Sequence, residues 1–172
     1  MKNYTISSEK QKDFSAINDL QTKIFGVAMF SKAASLIRSK GFLNLNLSHT
    51  IFSGDILVGS LRIYHIKVGT YDAIFLGPLV IDKEYQGAGL GTKLMQTCLA
   101  KIIDSKARKE INDKFIFMIG DLEYYKRFGF KIFDTSNIQL LAPVDKNRCL
   151  AFELELNATQ NITGRVLARN SI

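Results

Sequence analysis

Three glycines at alternate positions, Gly87, Gly89 and Gly91, give the most direct indication of chemistry in this sequence. They follow the apolar run 76–81 across a short polar link and precede an amphipathic stretch, which predicts a strand, a loop and a helix. Glycine lets the backbone adopt conformations closed to other residues and brings its N–H groups close to a ligand. Because the first amides of a helix lack internal partners and lie at the positive end of its dipole, the loop predicts a pyrophosphate site.

The spacing of these glycines excludes two other phosphate-binding loops. A dinucleotide-binding fingerprint needs its third glycine three residues after the second, and a Walker A loop needs its second glycine at that same position. Thr92 stands there instead. The sequence therefore predicts a phosphorylated cofactor held by a different kind of loop.

A second block, from Phe115 to Phe130, combines an apolar run with two adjacent tyrosines and a glycine. The run 115–119 predicts a buried strand, and Tyr124 and Tyr125 fall in a helix of one or two turns that Gly129 ends. Packing in the core is the common role of such a tyrosine pair. We assign that role to Tyr124, and for Tyr125 the residues alone leave packing and catalysis open.

Together the two blocks resemble the GNAT superfamily of N-acetyltransferases. The pattern Gln86-x-Gly-x-Gly-x-Gly is similar to that family's acetyl-coenzyme A (acetyl-CoA) signature, and Tyr125, four residues before Gly129, matches its second block. The pattern Gly-Asp-x-x-Tyr-Tyr-x-x-Phe-Gly-Phe, over residues 120–130, is most similar to the YhbS-like subgroup of predicted bacterial acetyltransferases. The resemblance covers roughly residues 3–156 and implies acetyl-CoA as the co-substrate.

The resemblance also implies roles for individual residues. The Leu79 amide would face the acetyl oxygen, Val80 and Ile81 would align the pantetheine arm, and Tyr125 would protonate the departing thiolate. The pyrophosphate would rest on the amides of seven consecutive residues, which are Gln86, Gly87, Ala88, Gly89, Leu90, Gly91 and Thr92.

The sequence leaves the general base open. An alkylammonium acceptor, with a pKa of about 10.4, must lose a proton to a carboxylate, a histidine or a water chain. No motif selects among water and four side chains, which are His65, Asp82, Glu84 and Asp121. Many family members also place a pantetheine-binding asparagine seven residues before the tyrosine, where this chain has Met118. That departure leaves the contacts near the thiol unassigned.

Composition narrows the classes of function. The 172 residues suit one domain, predicted to span 1–172, and no apolar run is long enough to cross a bilayer, so we expect a cytoplasmic protein without membrane partners. Two histidines and two cysteines without metal-ligand spacing predict no metal site. The net charge of +7 suggests nucleic acid, but the basic residues are dispersed, so we do not expect such a partner.

One basic cluster, formed by Lys101, Lys106, Arg108 and Lys109, is typical of a solvated helix face. Coenzyme A carries several phosphate charges, so a basic rim beside the glycine loop would favour its capture. Lys106, Arg108 and Lys109 are the candidates for such a rim.

The site residues need a fold of short strands and helices to position them. Periodicity predicts an edge strand at 3–7, helices at 13–25 and 31–38, a hairpin over 47–68 and strands at 73–81, 138–141, 149–156 and 164–167. Pro78 cannot donate to a strand ladder and predicts a bulge. A helix over 92–105 would turn one apolar stripe to the sheet, namely Leu94, Met95, Cys98, Leu99, Ile102 and Ile103.

We therefore predict an α/β (α+β) GNAT fold with a central mixed, mostly antiparallel twisted sheet of about seven strands, flanked by about four helices and splayed at the acetyl-CoA site. The predicted function is acetyl-CoA-dependent acetylation of a primary amine on a small molecule or a protein. A non-catalytic acyl-CoA-binding or sensing domain and an acetyltransferase acting on an RNA-linked amine are the alternatives. The sequence specifies neither the acceptor nor the choice between monomer and homodimer.

Overall fold

The computed structural model describes residues 3–169. Residues 1–2 and 170–172 of the predicted single domain lie outside the described residues, as do the side chains of Phe30 and Ser31. The α-helices within residues 3–169 are α1 (Phe14–Phe25), α2 (Ala33–Lys40), α3 (Leu90–Ala107) and α4 (Leu122–Tyr125). The strands in the same range are β1 (Tyr4–Ser8), β2 (Phe42–Leu43), β3 (His49–Ser53), β4 (Ile56–Val68), β5 (Tyr71–Ile81), β6 (Phe115–Ile119), β7 (Lys131–Ile132), β8 (Ile138–Gln139), β9 (Cys149–Glu153) and β10 (Gly164–Leu167).

The strands form one mixed sheet whose main path has the order β1-β3-β4-β5-β6-β9-β7. Neighbours on this path are antiparallel except for β5 and β6, which run parallel. The short strands β2 and β10 pair with the second half of β4, and β8 pairs with β10. The predicted fold class is confirmed. Residues 3–169 contain ten strands rather than about seven, and the two that no predicted strand covers are β2 and β7.

Helix α3 packs one apolar stripe against one face of the sheet. Leu94, Cys98 and Ile102 are fully buried there, because positions three to four residues apart return to the same side of a helix. The prediction that Ile103 belongs to this stripe is wrong. Its side chain is 48% exposed, since one residue beyond Ile102 turns the helix by about 100°.

An aromatic cluster fills the opposite face of the sheet, beneath α2 and the C-terminal strands. The ring of Phe117 lies 5.4 Å from those of Phe75 and Phe133, in edge-on arrangements. Ile37 of α2 and Val166 of β10 belong to the same buried cluster. Strands β5 and β6 are therefore buried on both faces, which explains why they appear in the sequence as continuous apolar runs.

Strand β5 contains the bulge that Pro78 predicts. Leu61 of β4 pairs with Leu79, and Ile63 pairs with Leu76, so residues 77 and 78 together face a single residue of β4. An extra residue of this kind bends a strand and increases its local twist. The bulge lies where β5 leaves its parallel neighbour.

The sheet opens between β5 and β6. Only Ile74 and Phe75 of β5 register with β6, opposite Ile116 and Phe117. Beyond these pairs both strands continue toward their carboxyl ends without pairing to each other. The predicted splay is thus present, and it leaves backbone groups of two adjacent strands facing a shared gap.

Two buried ion networks hold the ends of the chain against β4. Arg62 contacts the Glu9 carboxylate through Nε at 3.0 Å and Nη2 at 2.7 Å. Asp113 lies between His65, at 2.9 Å, and Arg169, at 2.7 Å. These pairs are structural, because each neutralises a cation or orients an imidazole inside the fold.

Candidate active site

The glycine loop lies between a short 3₁₀ turn (Lys83–Tyr85) and α3. Gly87 and Gly89 have φ angles of 81° and 73°, in the left-handed region that favours glycine, and Gly89 is the N-cap of α3. The Gln86 side chain anchors the loop by donating a hydrogen bond to the Ile81 carbonyl at 3.0 Å.

The amides of residues 87–92 are available to a ligand. Within residues 3–169 none of these N–H groups donates to a protein acceptor. They stand at the beginning of an 18-residue helix, where the dipole adds positive potential. The arrangement is suited to an anion such as a pyrophosphate.

The end of β5 turns alternate peptide groups toward the gap in the sheet. The Asp82 amide donates to the Val58 carbonyl at 2.8 Å, so that peptide faces β4. Because successive residues of an antiparallel strand face opposite sides, Leu79 and Ile81 direct their amides into the gap and Val80 bonds to β4. The Val80 side chain is also buried. Leu79 and Ile81 can therefore reach a ligand directly, whereas Val80 holds the strand in place.

A cleft of about 630 Å³ opens beside this gap. The end of β5 and the end of β6 form one part of its wall, and α2 with the segment 142–148 forms another. Leu79 lines both this cleft and a smaller groove that follows the glycine loop. The groove and the cleft thus adjoin at Leu79. Met118, at the position where the resemblance would place asparagine, lines the cleft as well.

Tyr125 of α4 forms part of the cleft wall. Its ring packs edge-on against Tyr124, with centroids 4.8 Å apart, and against Phe130 at 6.0 Å. A Cβ atom on Gly120 would lie 2.6 Å from Tyr125 Cε2, so glycine at this position leaves room for the ring. Burial raises the pKa of Tyr125 above its usual range and Tyr124 adds to this, while the Arg148 cation opposes it. The phenol is therefore neutral near pH 7 and can donate a hydrogen bond.

Comparison with known proteins identifies the family. The family profile described as "Acetyltransferase (GNAT) domain" matches residues 47–132, half of the chain, including the glycine loop and Tyr125. This chain belongs to the GNAT acetyltransferase family. The N-acetyltransferase YhbS of Escherichia coli K12, itself described as uncharacterized, is 26% identical, with 90% of this chain and 89% of YhbS covered. YjhQ of the same organism is 26% identical, with 74% and 70% covered.

Solved structures of GNAT proteins share the fold. The crystal structure of E. coli YhbS in complex with CoA matches with a TM-score of 0.73 at 23% identity, covering 98% of this chain and 91% of YhbS. A GNAT family acetyltransferase from Brucella melitensis, in complex with acetyl-CoA, matches with a TM-score of 0.64 at 21% identity, covering 99% and 98%. The family and the YhbS-like subgroup predicted from the sequence are confirmed.

In this GNAT domain Tyr124 and Tyr125 face different cavities. Tyr124, which the sequence suggested was a packing residue, lines the groove with its hydroxyl 3.0 Å from where a Cβ of Gly91 would lie. The Arg127 guanidinium stacks over the Tyr124 ring at 4.1 Å and lines the same groove. Adjacent helical residues point about 100° apart, so a tyrosine doublet between two cavities can serve both. This rotation between neighbouring helical residues is the sequence signal that could have assigned Tyr124 to the groove.

Three of the four candidate bases lie outside the cleft. His65 is fully buried, with its ring nitrogens 2.9 Å from Asp113 and 2.9 Å from Asn44. Asp82 accepts a 2.8 Å hydrogen bond from Lys23, which lowers the pKa of the Asp82 carboxyl. Glu84 lies in the exposed 3₁₀ turn. None of these three side chains lines the cleft.

Asp121, the fourth candidate, lines the cleft beside Tyr125. Its carboxylate accepts the Glu123 amide at 3.0 Å as the N-cap of α4, so the loop that carries it is fixed. Asp145 also lines the cleft and was not considered from the sequence, because nothing local connects the segment 142–148 with the glycine loop.

The predicted basic rim is wrong. Lys106 is the seventeenth residue of α3, so it lies about 24 Å along the helix axis from the glycine loop. Lys106 and Arg108 instead pair with Glu155 and Asp104, each at 2.6 Å. These cations are partly neutralised, which also weakens the case for a nucleic-acid surface at this end of the helix.

Residues 3–169 contain neither a metal-ligating cluster nor a membrane-spanning helix. No group of three or more His, Cys, Asp and Glu side chains in that range is arranged to hold a metal ion. No helix in the same range has both the length and the apolar character needed to cross a bilayer.

Proposed function

We propose that this GNAT domain binds acetyl-CoA in the groove along the glycine loop and transfers the acetyl group to a primary amine, on a small molecule or a protein, in the cleft. The supporting observation is the junction of groove and cleft at Leu79, beside the open edge of the sheet. A ligand held by its pyrophosphate at the loop would run along β5 toward the cleft. The similar structures of YhbS and of the Brucella melitensis protein are complexes with CoA and acetyl-CoA.

The end of β5 suits the carbonyl chemistry of this reaction. Acetyl-CoA would supply a thioester, in which the C–S bond breaks as the amine nitrogen bonds to the carbonyl carbon. We assign the Leu79 N–H to the carbonyl oxygen, where negative charge develops, and the Ile81 amide to the pantetheine arm. A fixed donor of this kind typically contributes about 3 kcal/mol to lowering the barrier.

We assign Tyr125 to the departing sulfur. Transfer of a proton from an ordinary phenol, with a pKa of about 10, to a thiolate of pKa about 8.5 costs roughly 2 kcal/mol. Burial raises the pKa of Tyr125 further, although the Arg148 cation opposes that rise. Tyr125 therefore acts first as a hydrogen-bond donor that stabilises the thiolate. It completes the proton transfer only to the extent that binding of the thioester reduces the difference between the pKa of the phenol and that of the thiol.

We assign Asp121 to the acceptor amine. A carboxylate is too weak a base to strip a proton from a free ammonium group of pKa about 10.4. The neutral fraction of the amine, which has already released one proton to solvent, is therefore the form that attacks. Its nitrogen becomes far more acidic once its bond to the carbonyl carbon forms, and a carboxylate can then accept the second proton. Asp121 would hold the amine in the cleft and receive this proton directly or through water.

Calorimetry with acetyl-CoA and a thiol-release assay with a panel of amines test the proposal together. For Tyr125→Phe we expect turnover to fall about 100-fold with the Kd for acetyl-CoA unchanged, because only the leaving-group donor is removed. Tyr71→Phe, at an exposed tyrosine at the start of β5, is the matched control and should keep full turnover. Wild-type turnover in Tyr125→Phe at every pH would remove Tyr125 from the mechanism. Binding without thiol release from any amine would favour a non-catalytic acyl-CoA-binding domain.

A further inference from the structure

The lining of the cleft carries more positive than negative charge. It includes three cationic side chains, Lys32, Arg38 and Arg148, and two carboxylates, Asp121 and Asp145. Lys32 and Arg148 are exposed, whereas Arg38, on the last turns of α2, is partly buried. An excess of cations in a concave site favours an anionic ligand.

Among the three cations that line the cleft, Arg38 is the partly buried one. The buried arginines of residues 3–169, Arg62 and Arg169, each contact a carboxylate, at 2.7 Å in both cases. Arg38 has no carboxylate partner among the same residues. Burial lowers the pKa of Arg38 and the neighbouring Arg62 cation lowers it as well, while the Tyr64 phenol opposes this shift. A guanidinium in such surroundings is stabilised when a bound anion supplies the missing charge.

The two carboxylates of the cleft have backbone amides as partners. Asp121 accepts the Glu123 amide at 3.0 Å, and Asp145 accepts the Asn147 amide at 2.9 Å. Each carboxylate therefore caps the short helical turn that follows it. No ion pair joins either of them to Arg38. The cleft thus has a carboxylate, Asp121, at the turn between β6 and α4 and a cation without an ion-pair partner, Arg38, on α2.

We propose that the acceptor is a small molecule that carries a primary amine and an anionic carboxylate or phosphate group, and that Arg38 binds this anionic group. The inference rests on the proposed acetyl transfer, with the amine directed to Asp121. A guanidinium presents paired donors that match the two oxygens of a carboxylate or a phosphate. A cleft of about 630 Å³ is of the size that holds a small molecule. Lys32 and Arg148 would add attraction at its exposed rim.

Matched acceptors test this specificity by turnover. Each amino acid of a panel is compared with its amide and with its decarboxylated amine, and phosphoethanolamine is compared with ethanolamine. The two sets distinguish a carboxylate from a phosphate as the recognised group. In the wild-type protein we expect kcat/KM for the anionic member to exceed that for the neutral member by about tenfold or more. Arg38→Ala should abolish this preference, and Arg38→Lys should keep part of it.

Arg108→Ala is the charge-matched control, because Arg108 lies at the far end of α3 and outside the cleft lining. It should retain the preference of the wild-type protein. Circular dichroism of each variant checks that the fold is kept. If Arg38→Ala does not fold, the wild-type comparison still decides the anion preference and Arg38→Lys still decides the residue.

A binding measurement separates this inference from the proposed function. N-acetyl amino acids and their amides resemble products, so their affinities for the protein with CoA can be measured by calorimetry without turnover. Tighter binding of the anionic member in the wild-type protein, lost in Arg38→Ala, supports the anion site even if every amine fails as a substrate. Equal affinity and equal kcat/KM for anionic and neutral members would overturn it, as would a preference that survives in Arg38→Ala.

Discussion

Replacing Gly91 by alanine should separate the stability of this protein from its affinity for acetyl-CoA. Gly91 is the second residue of α3, and its φ angle is not in the left-handed region. Alanine is therefore compatible with the backbone conformation there. The added Cβ would lie 3.8 Å from Ile81 Cγ1 and 3.9 Å from Leu79 Cδ2, on the surface of the proposed cofactor groove. It would stand 3.0 Å from the Tyr124 hydroxyl, a contact that a small shift of that ring relieves.

We expect the thermal stability to be kept or to increase and the affinity for acetyl-CoA to decrease. Alanine in place of glycine stabilises a helix by about 0.5–1 kcal/mol, and the close Tyr124 contact removes part of that gain. We therefore expect Tm to stay equal or to rise by about 1–2 °C for a domain of this size. A methyl group above the loop would hold the pyrophosphate away from the amides and break at least one charge-assisted hydrogen bond. Each such bond contributes about 1.5–3 kcal/mol, so Kd for acetyl-CoA should rise roughly 10-fold to 150-fold.

Gly54→Ala is the control with the reverse pattern. Gly54 lies in the turn between β3 and β4, with φ of 60° and no atom within 4 Å of an added Cβ. The left-handed conformation alone should cost about 1 kcal/mol and lower Tm by roughly 2–4 °C, with no effect on Kd. Titration calorimetry with acetyl-CoA and thermal denaturation measure both quantities. Wild-type affinity in Gly91→Ala would refute the assignment of the glycine loop to the pyrophosphate.

Three further predictions concern the site and the core. Gly120→Ala should lower turnover while acetyl-CoA binding is kept, because the new Cβ would lie 2.6 Å from Tyr125 Cε2 and displace the ring; single-turnover and binding assays distinguish the two effects. Glu9→Ala should cost about 3–5 kcal/mol in denaturant unfolding, since it leaves Arg62 buried without its carboxylate. Burial raises the pKa of Cys98 to about 12. Its contribution to stability is therefore complete below the usual thiol pKa of about 8.5 and is lost as the pH rises toward 12. The free energy of unfolding should then fall more between about pH 8 and pH 10.5 in the wild-type protein than in Cys98→Ala.

Exposed positions provide controls for these variants. Glu123→Ala, which breaks the exposed pair between Glu123 and Lys126, should change the free energy of unfolding by less than about 0.5 kcal/mol. If Glu9→Ala changes the free energy of unfolding by a similarly small amount, the contact between Glu9 and Arg62 does not stabilise the fold. Full turnover in Gly120→Ala would show that the position of the Tyr125 ring does not matter for catalysis. If the free energy of unfolding falls equally above pH 8 in the wild-type protein and in Cys98→Ala, the thiol of Cys98 is not the group responsible.

Much of the candidate site could be predicted because its parts are local. The glycine loop depends on three alternate residues and the helix that follows them, and both the left-handed φ angles and the unpaired amides are consequences of that short segment. The bulge in β5 was predictable because Pro78 lacks an N–H. Even the error over Lys106 was avoidable, since the length of α3 alone separates that residue from the loop.

The choice among the candidate bases was not available from the sequence. His65 and Asp121 are both chemically suitable, and only burial distinguishes them, with His65 enclosed beside Asp113 and Asp121 in the cleft wall. The same holds for Arg38, which looks like any surface residue of an amphipathic helix until its surroundings show no carboxylate. Burial and pairing depend on residues that are distant along the chain.

The sequence by itself determined the family, the strand, loop and helix that form the proposed pyrophosphate site, and the tyrosine four residues before Gly129. Each of these depends on backbone conformation and periodicity, which neighbouring residues control. The tertiary structure alone decided that Tyr124 and Tyr125 face different cavities, that Asp121 stands in the cleft and that Arg38 lacks a carboxylate. Those facts arise from how β5 and β6 separate and which segments then pack around the opening, and no local pattern encodes contacts between distant parts of the chain.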